Sequence, residues 1–99
     1  MIIGATNTHV FELPLGAEEI QTIEITYAQN NIERLKKITD GGAMQGNSLT
    51  VKLNQEESFL FSAGGAEIQI RVLTNYGEVI PSDVMRIHCQ SCLSDEVLK

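Results

Sequence analysis

The chain predicts an all-β fold, an antiparallel β-sandwich built as one domain. Three observations lead there. Polar–apolar alternation with a period of two recurs in short segments, and turn residues fall between them at roughly ten-residue spacing. No segment carries a long 3.6-residue periodicity that would cross over between parallel strands, which excludes an α/β fold. About six strands of this kind read as a sandwich, with an open barrel as the alternative.

Taken in order, Thr8–Leu13 alternates weakly, with Val10 on one side and Phe11 and Leu13 on the other. Pro14-Leu15-Gly16 ends it. Ile23-Glu24-Ile25-Thr26-Tyr27 alternates cleanly, which turns Tyr27 inward with the two isoleucines. Asn30-Asn31 suits a tight hairpin, because Asn tolerates the left-handed conformations such turns need. Ile32, Leu35 and Ile38 fit a helix as well as a strand, and the short connection before them selects a return strand. Asp40-Gly41-Gly42 and Gln45-Gly46-Asn47 bracket a loop before the clean strand Leu49–Leu53.

Asn54-Gln55-Glu56-Glu57 has the spacing of a capping box, so residues 55–60 are expected to make one helical turn that drives Phe59 and Phe61 into the core. Ala63-Gly64-Gly65 is expected to precede a strand that alternates over Ile68–Val72. Asn75-Tyr76-Gly77 reads as a three-residue hairpin connection, and Pro81 belongs at a strand edge or bulge because it has no N–H to donate. In Val84–Cys89 the residues Met85, Ile87 and Cys89 share one face. The single domain spans 1–99, with a core over about 7–89 and a C-terminal tail, frayed or a short helix, over 90–99.

A chain of 99 residues with 42% apolar and 20% charged residues has material for one core and is neither disordered nor membrane-embedded by composition. No apolar run approaches the ~18 residues of a spanning helix. The opening MIIGATNTHV lacks the charged and apolar regions of a signal peptide, so cytoplasmic synthesis is expected. Thirteen acidic against seven basic residues give a net charge of −6, which argues against sequence-independent nucleic-acid binding. The signs are segregated. Residues 1–31 hold Glu12, Glu18, Glu19 and Glu24 with no Lys or Arg, whereas 32–53 holds Arg34, Lys36, Lys37 and Lys52 against Glu33 and Asp40. Such blocks suit complementary faces in self-association as well as an ordinary solvated surface.

Chemistry-bearing motifs are sparse. Cys89-Gln90-Ser91-Cys92 follows His88, but a structural zinc site needs four ligands, and with no second CxxC only the distant His9 remains to complete one. A redox pair would want its first Cys at a helix N-terminus in a βαβ setting. Two ordinary reduced thiols are the expectation. The glycine stretches 41–46 and 64–65 match neither GxxxxGK[ST] nor GxGxxG and read as turns. Glu56 and Glu57 lie on an exposed turn, and Glu67 and Glu78 are expected near the two ends of one hairpin, where they would repel. No Ser, His and Asp are brought together by spacing. The expectation is a protein without catalytic, cofactor-binding or metal residues, and not an enzyme.

The blocks Ile23–Asn30, Asn47–Glu57 and Glu67–Thr74, followed by Gly77 and Ser82-Asp83, form an ordered set over roughly residues 8–88. That set resembles small proteins encoded in the tail and baseplate gene modules of phages and prophages of Gram-positive bacteria. The stretch Ile68–Asp83 is also similar to the amino-terminal β-domain of phage baseplate upper proteins. Cys89 and Cys92 fall outside the pattern. The resemblance implies an immunoglobulin-like β-sandwich serving as a structural piece of a virion or phage-like particle, with no catalytic residues. It further implies other virion or tail proteins as partners, several copies in a symmetric assembly, and no nucleic acid or membrane. The loop 41–46 and the turn 75–78 are its candidate contacts. The alternatives are a tail-assembly chaperone, a host-surface or carbohydrate-binding accessory relying on Tyr76, and a zinc-stapled regulator built on His88, Cys89 and Cys92.

Overall fold

Alternation decides the faces of the central strands. In the computed structural model, which describes residues 1–99, β2 (Ile20–Gln29) turns Ile23, Ile25 and Tyr27 wholly inward. They stand opposite Val72, Ile70 and Ile68 of antiparallel β6 (Gly64–Thr74), so each of these three inward rungs is an apolar cross-strand pair. On the other side of β2 lies β3 (Ile32–Thr39), reached through Asn30 and Asn31 at φ 55° and 63°. Both residues take the left-handed conformation that a two-residue hairpin with matching twist demands. A bulge at Tyr27/Ala28 interrupts this ladder.

The far side of β6 is shared by two short strands, β7 (Val79–Pro81) and β8 (Met85–Cys89). Pro81 closes β7, an edge strand, as its missing N–H requires. The second sheet has the order β1-β5-β4, from β1 (Asn7–Glu12), β5 (Ser48–Leu53) and β4 (Met44–Gln45). With β1 as strand B, the sheets read B-E-D and C′-C-F-G, the strand order of the immunoglobulin-like sandwich. Ile2 forms a parallel bridge to Gln90 beyond β8, extending the larger sheet by one short step.

Sixteen buried apolar residues from both sheets and their connections form one cluster, so a single core serves the whole chain. Burying an Ile or Leu contributes about 1.5–3 kcal/mol, which offsets the ordering of roughly one residue of backbone. Three polar residues are buried, Gln29, Ser58 and Thr74, and the Gln29 amide is fully satisfied. Its Nε2 donates to the carbonyls of Ser62 and Gly65, and its Oε1 accepts from the Ser62 N–H at 2.8 Å.

The capping box forms as expected. Asn54 Oδ1 accepts from the Glu57 N–H at 2.8 Å, and Glu57 Oε1 accepts from the Asn54 N–H at 2.9 Å, opening α1 (Gln55–Ser58). Phe61 is buried after it, while Phe59 is half-buried against the core.

Four expectations need correction. The core extends past 7–89, because Ile3 is buried and Gly4 N–H donates to the hydroxyl of Ser58 in α1 at 2.8 Å. Gly64 and Gly65 do not precede β6 but open it, paired with Cys89 and His88, since residues without Cβ meet a neighbouring backbone as readily as any. Glu67 does not face Glu78. It lies opposite Arg86 in β8, because β6 has already turned at residue 74 and β7 pairs only with its last rungs. The stretch 41–46 is not a plain loop, since Gly41–Ala43 makes a 3-10 turn and Met44–Gln45 is β4. Residues 91–99 form no helix, yet Leu98 is held by both ends of the Gln55 side-chain amide.

Candidate interaction surface

The short length of β4 creates one notable surface feature. Its two residues pair only with Ser48 and Leu49, which leaves the rest of β5 without a neighbour on that side. Across the sandwich, β3 is the edge of the larger sheet. Between them opens a notch of about 380 Å³, lined by Lys36–Thr39 from β3 and Thr50–Lys52 from β5, with buried Ile25 and Val51 in its wall. No acidic residue lines it.

The three lysines differ in their engagements. Lys37 Nζ donates to the Lys52 carbonyl at 2.7 Å and lies 3.0 Å from Glu57 Oε2, so it clamps β3 to β5 and to the helical cap together. Lys36 Nζ lies 3.3 Å from Glu33 and 3.9 Å from Glu24. Glu24 also accepts from Arg71 Nε at 2.7 Å, and this bond above all holds its carboxyl below the usual range. Lys52 is exposed and makes no ion pair. Ile38 stands 67% exposed on the rim. Arg34 sits at the β2–β3 bulge with its Nε buried and without an acceptor. A basic edge of this kind repels its own copy and so discourages β3-to-β3 pairing.

A polar contact crosses the core nearby. His9 Nδ1 of β1 is 2.8 Å from the Tyr27 hydroxyl of β2, and the Tyr27 ring meets Phe61 edge-on. Burial, and secondarily the amino-terminal charge, pushes the His9 pKa down. Burial, and secondarily Glu57, pushes the Tyr27 phenol well above its ordinary value. Both shifts favour the neutral form of the group.

At one end of the sandwich three connections meet. Asn75 anchors the β6–β7 turn: its N–H donates to the Glu19 carbonyl at 3.0 Å and its Nδ2 to the Glu18 carbonyl at 2.7 Å. The 3-10 turns Ala17–Glu19 and Gly41–Ala43 touch so closely that a Cβ on Gly41 would fall 2.6 Å from the Ala17 carbonyl oxygen. Thr74 Oγ1 accepts from the N–H groups of Tyr76 and Glu78, and Gly77 takes φ 84° to close the turn. The result is a braced loop end carrying Glu18, Glu19, Asp40 and Glu78, with no Lys or Arg in 13–19, 40–43 or 75–78. From it Tyr76 projects, 86% exposed.

The zinc and redox candidates do not converge. Strand alternation in β8 buries Cys89 and turns His88 out, while Cys92 is exposed beyond the strand and His9 is engaged with Tyr27. Burial pushes the Cys89 thiol pKa up, the opposite of what a reactive cysteine needs. Glu56 is exposed, whereas its neighbour Glu57 is occupied by its cap and by Lys37. The lysine block was visible in the sequence as a charge run. The notch was not, because it depends on where β4 stops.

Comparison with known proteins finds no protein-family model, no curated protein and no solved structure that matches this chain.

Proposed function

We propose that this protein is a non-enzymatic structural module of a phage or phage-tail-like particle, working through packing against other proteins of the tail or baseplate region. The observation that carries the protein–protein part is the segregated surface. A lysine-rimmed notch lies along one edge of the sandwich, and an acidic loop end with a projecting tyrosine lies at one of its ends. The particle itself enters through the resemblance of the ordered blocks over residues 8–88. Contacts of this design add identical or related β-domains to an assembly without chemistry at the interface.

Quantitative mass spectrometry of gradient-purified particles from the source, calibrated against the major tail-tube and capsid proteins, tests the reading. Copy number at a multiple of three, five or six supports it. Reproducible absence from particles, with the protein abundant in the lysate, removes it and favours an assembly chaperone.

Tyr76 favours one second reading, a surface-binding accessory. An exposed aromatic on a braced loop beside Asn75 and Glu78 offers a stacking face next to polar groups, as a sugar ring requires. Tyr27 contributes nothing to such a site, since it is wholly buried. Loss of glycan or cell-surface binding in Tyr76→Ala is the outcome that supports this reading.

A further inference from the structure

We propose that the loop end of one copy docks into the notch of a second copy, with Tyr76 as the anchor between the lysines. This rests on the multi-copy structural reading and names its partner and its contact. Four features of the chain support it. First, Tyr76 is 86% exposed, yet its loop is rigidly held by the two Asn75 bonds and by Thr74, so little conformational freedom is lost when it is buried. Rigid tyrosines of this kind are among the commonest anchors of interfaces.

Second, a receptor of matching character exists on the same molecule. The notch of about 380 Å³ has apolar wall residues in Ile25 and Val51 and a rim of Lys36, Lys37 and Lys52. A tyrosine ring is small enough to enter such a space, and its face attracts an ammonium placed over it.

Third, the charges oppose. Glu18, Glu19 and Glu78 share the anchor's loop end with no base among them, whereas at the notch Lys36 and Lys37 are paired with Glu24, Glu33 and Glu57 and Lys52 is left over. Lys52, which makes no ion pair within the chain, is the cation free to meet a carboxylate from outside.

Fourth, the knob lies on the loop end and the notch along the β3 edge, so the contact joins two different surfaces of the chain. Two copies can exchange it reciprocally about a two-fold axis or pass it on head to tail. In the head-to-tail arrangement each copy that docks presents a fresh notch, and the series closes into a ring or continues as a filament. The like charges of two β3 edges disfavour direct edge-to-edge pairing of the copies.

Sedimentation velocity of the full chain over a concentration series, at low and at high salt, tests the contact. Self-association that weakens as salt rises is expected. Tyr76→Ala and Lys52→Glu are each expected to weaken it by about tenfold or more, as loss of an anchor does. The double change Lys52→Glu with Glu78→Lys is expected to recover much of the loss, which a general disturbance of the fold would not do. Both residues are exposed, and unchanged thermal unfolding of the variants confirms that they remain folded.

A chain that stays monomeric at every concentration and salt overturns the proposal. So does association that survives both single substitutions, or a Tyr76→Ala variant that loses glycan binding while still associating. Failure here is distinct from failure of the structural reading. A monomeric protein still found at fixed copy number in particles retains that role through other contacts, whereas an associating protein absent from particles retains this contact and loses that role.

Discussion

His9 and Tyr27 join the two sheets through the core, with His9 Nδ1 2.8 Å from the tyrosine hydroxyl. Burial keeps the imidazole neutral, so its folded pKa lies below the unfolded reference of about 6.5. The sign follows. Above that reference both states hold His9 neutral, and pH has no effect through it. Below it the unfolded chain takes up the proton first, so stability falls with pH until the folded pKa is passed. Thermal unfolding between about pH 8 and 5 is expected to show this decline, and His9→Gln to lessen it. Tyr27→Phe, which removes the hydroxyl partner, is expected to cost about 1–2 kcal/mol in chemical denaturation.

Ser58 joins the amino-terminal segment to α1. Its hydroxyl accepts from the Gly4 N–H at 2.8 Å and donates to the Gln55 carbonyl at 2.7 Å. Ser58→Ala leaves that N–H without its partner, and a loss of about 1–3 kcal/mol is expected. Asn54→Ala breaks only the helical cap, for about 1 kcal/mol. Hydrogen exchange separates them: Ser58→Ala is expected to speed exchange at Gly4, and Asn54→Ala at Glu57.

The strands that the sequence reveals are those with one face in the core. Ile23–Tyr27 and Ile68–Val72 alternate because every second side chain is buried, and the pattern survives directly in the order of residues. Asn30-Asn31 and Asn54–Glu57 are equally legible, since turn and cap chemistry is local. Hidden elements are short or non-local. Two residues are too few for β4 to show a period, and Ile3 is held in the core by partners far along the chain, its own N–H on the Gln90 carbonyl and the Gly4 N–H on Ser58. Gln29 gives no apolar signal at all, although its amide stitches β2 to Ser62. The notch combines both difficulties: its lysines form a visible charge block, but their enclosure depends on β4 ending early and on β3 lying across from β5.

Asn31 offers a local test of the hairpin. Its φ of 63° is comfortable for Asn and easier still for Gly, and Asn-Gly is the favoured pair for this turn. Asn31→Gly is therefore expected to leave stability equal or raised by a few tenths of a kcal/mol, of order 0.5. Asn31→Val places a β-branched side chain in the left-handed region and is expected to cost about 1–2 kcal/mol. Urea denaturation of the two variants reads the difference, and equal stability would mean that the turn takes another conformation.

Cys89 and Cys92 differ in burial, and that difference decides their reactivity. Cys89 is wholly enclosed at the end of β8, and burial raises its thiol pKa, so both access and thiolate fraction are low. Cys92 lies on the surface, three residues on and outside any strand. Under native conditions an alkylating reagent is expected to modify Cys92 alone, with Cys89 reacting only as the sandwich opens. The rate at Cys89, followed by peptide mass spectrometry across a denaturant series, then reports the opening of β8 from β6. Equal labelling of both thiols in the native protein would show that β8 is open in solution, and the pairing of Gly64 with Cys89 would have to be abandoned.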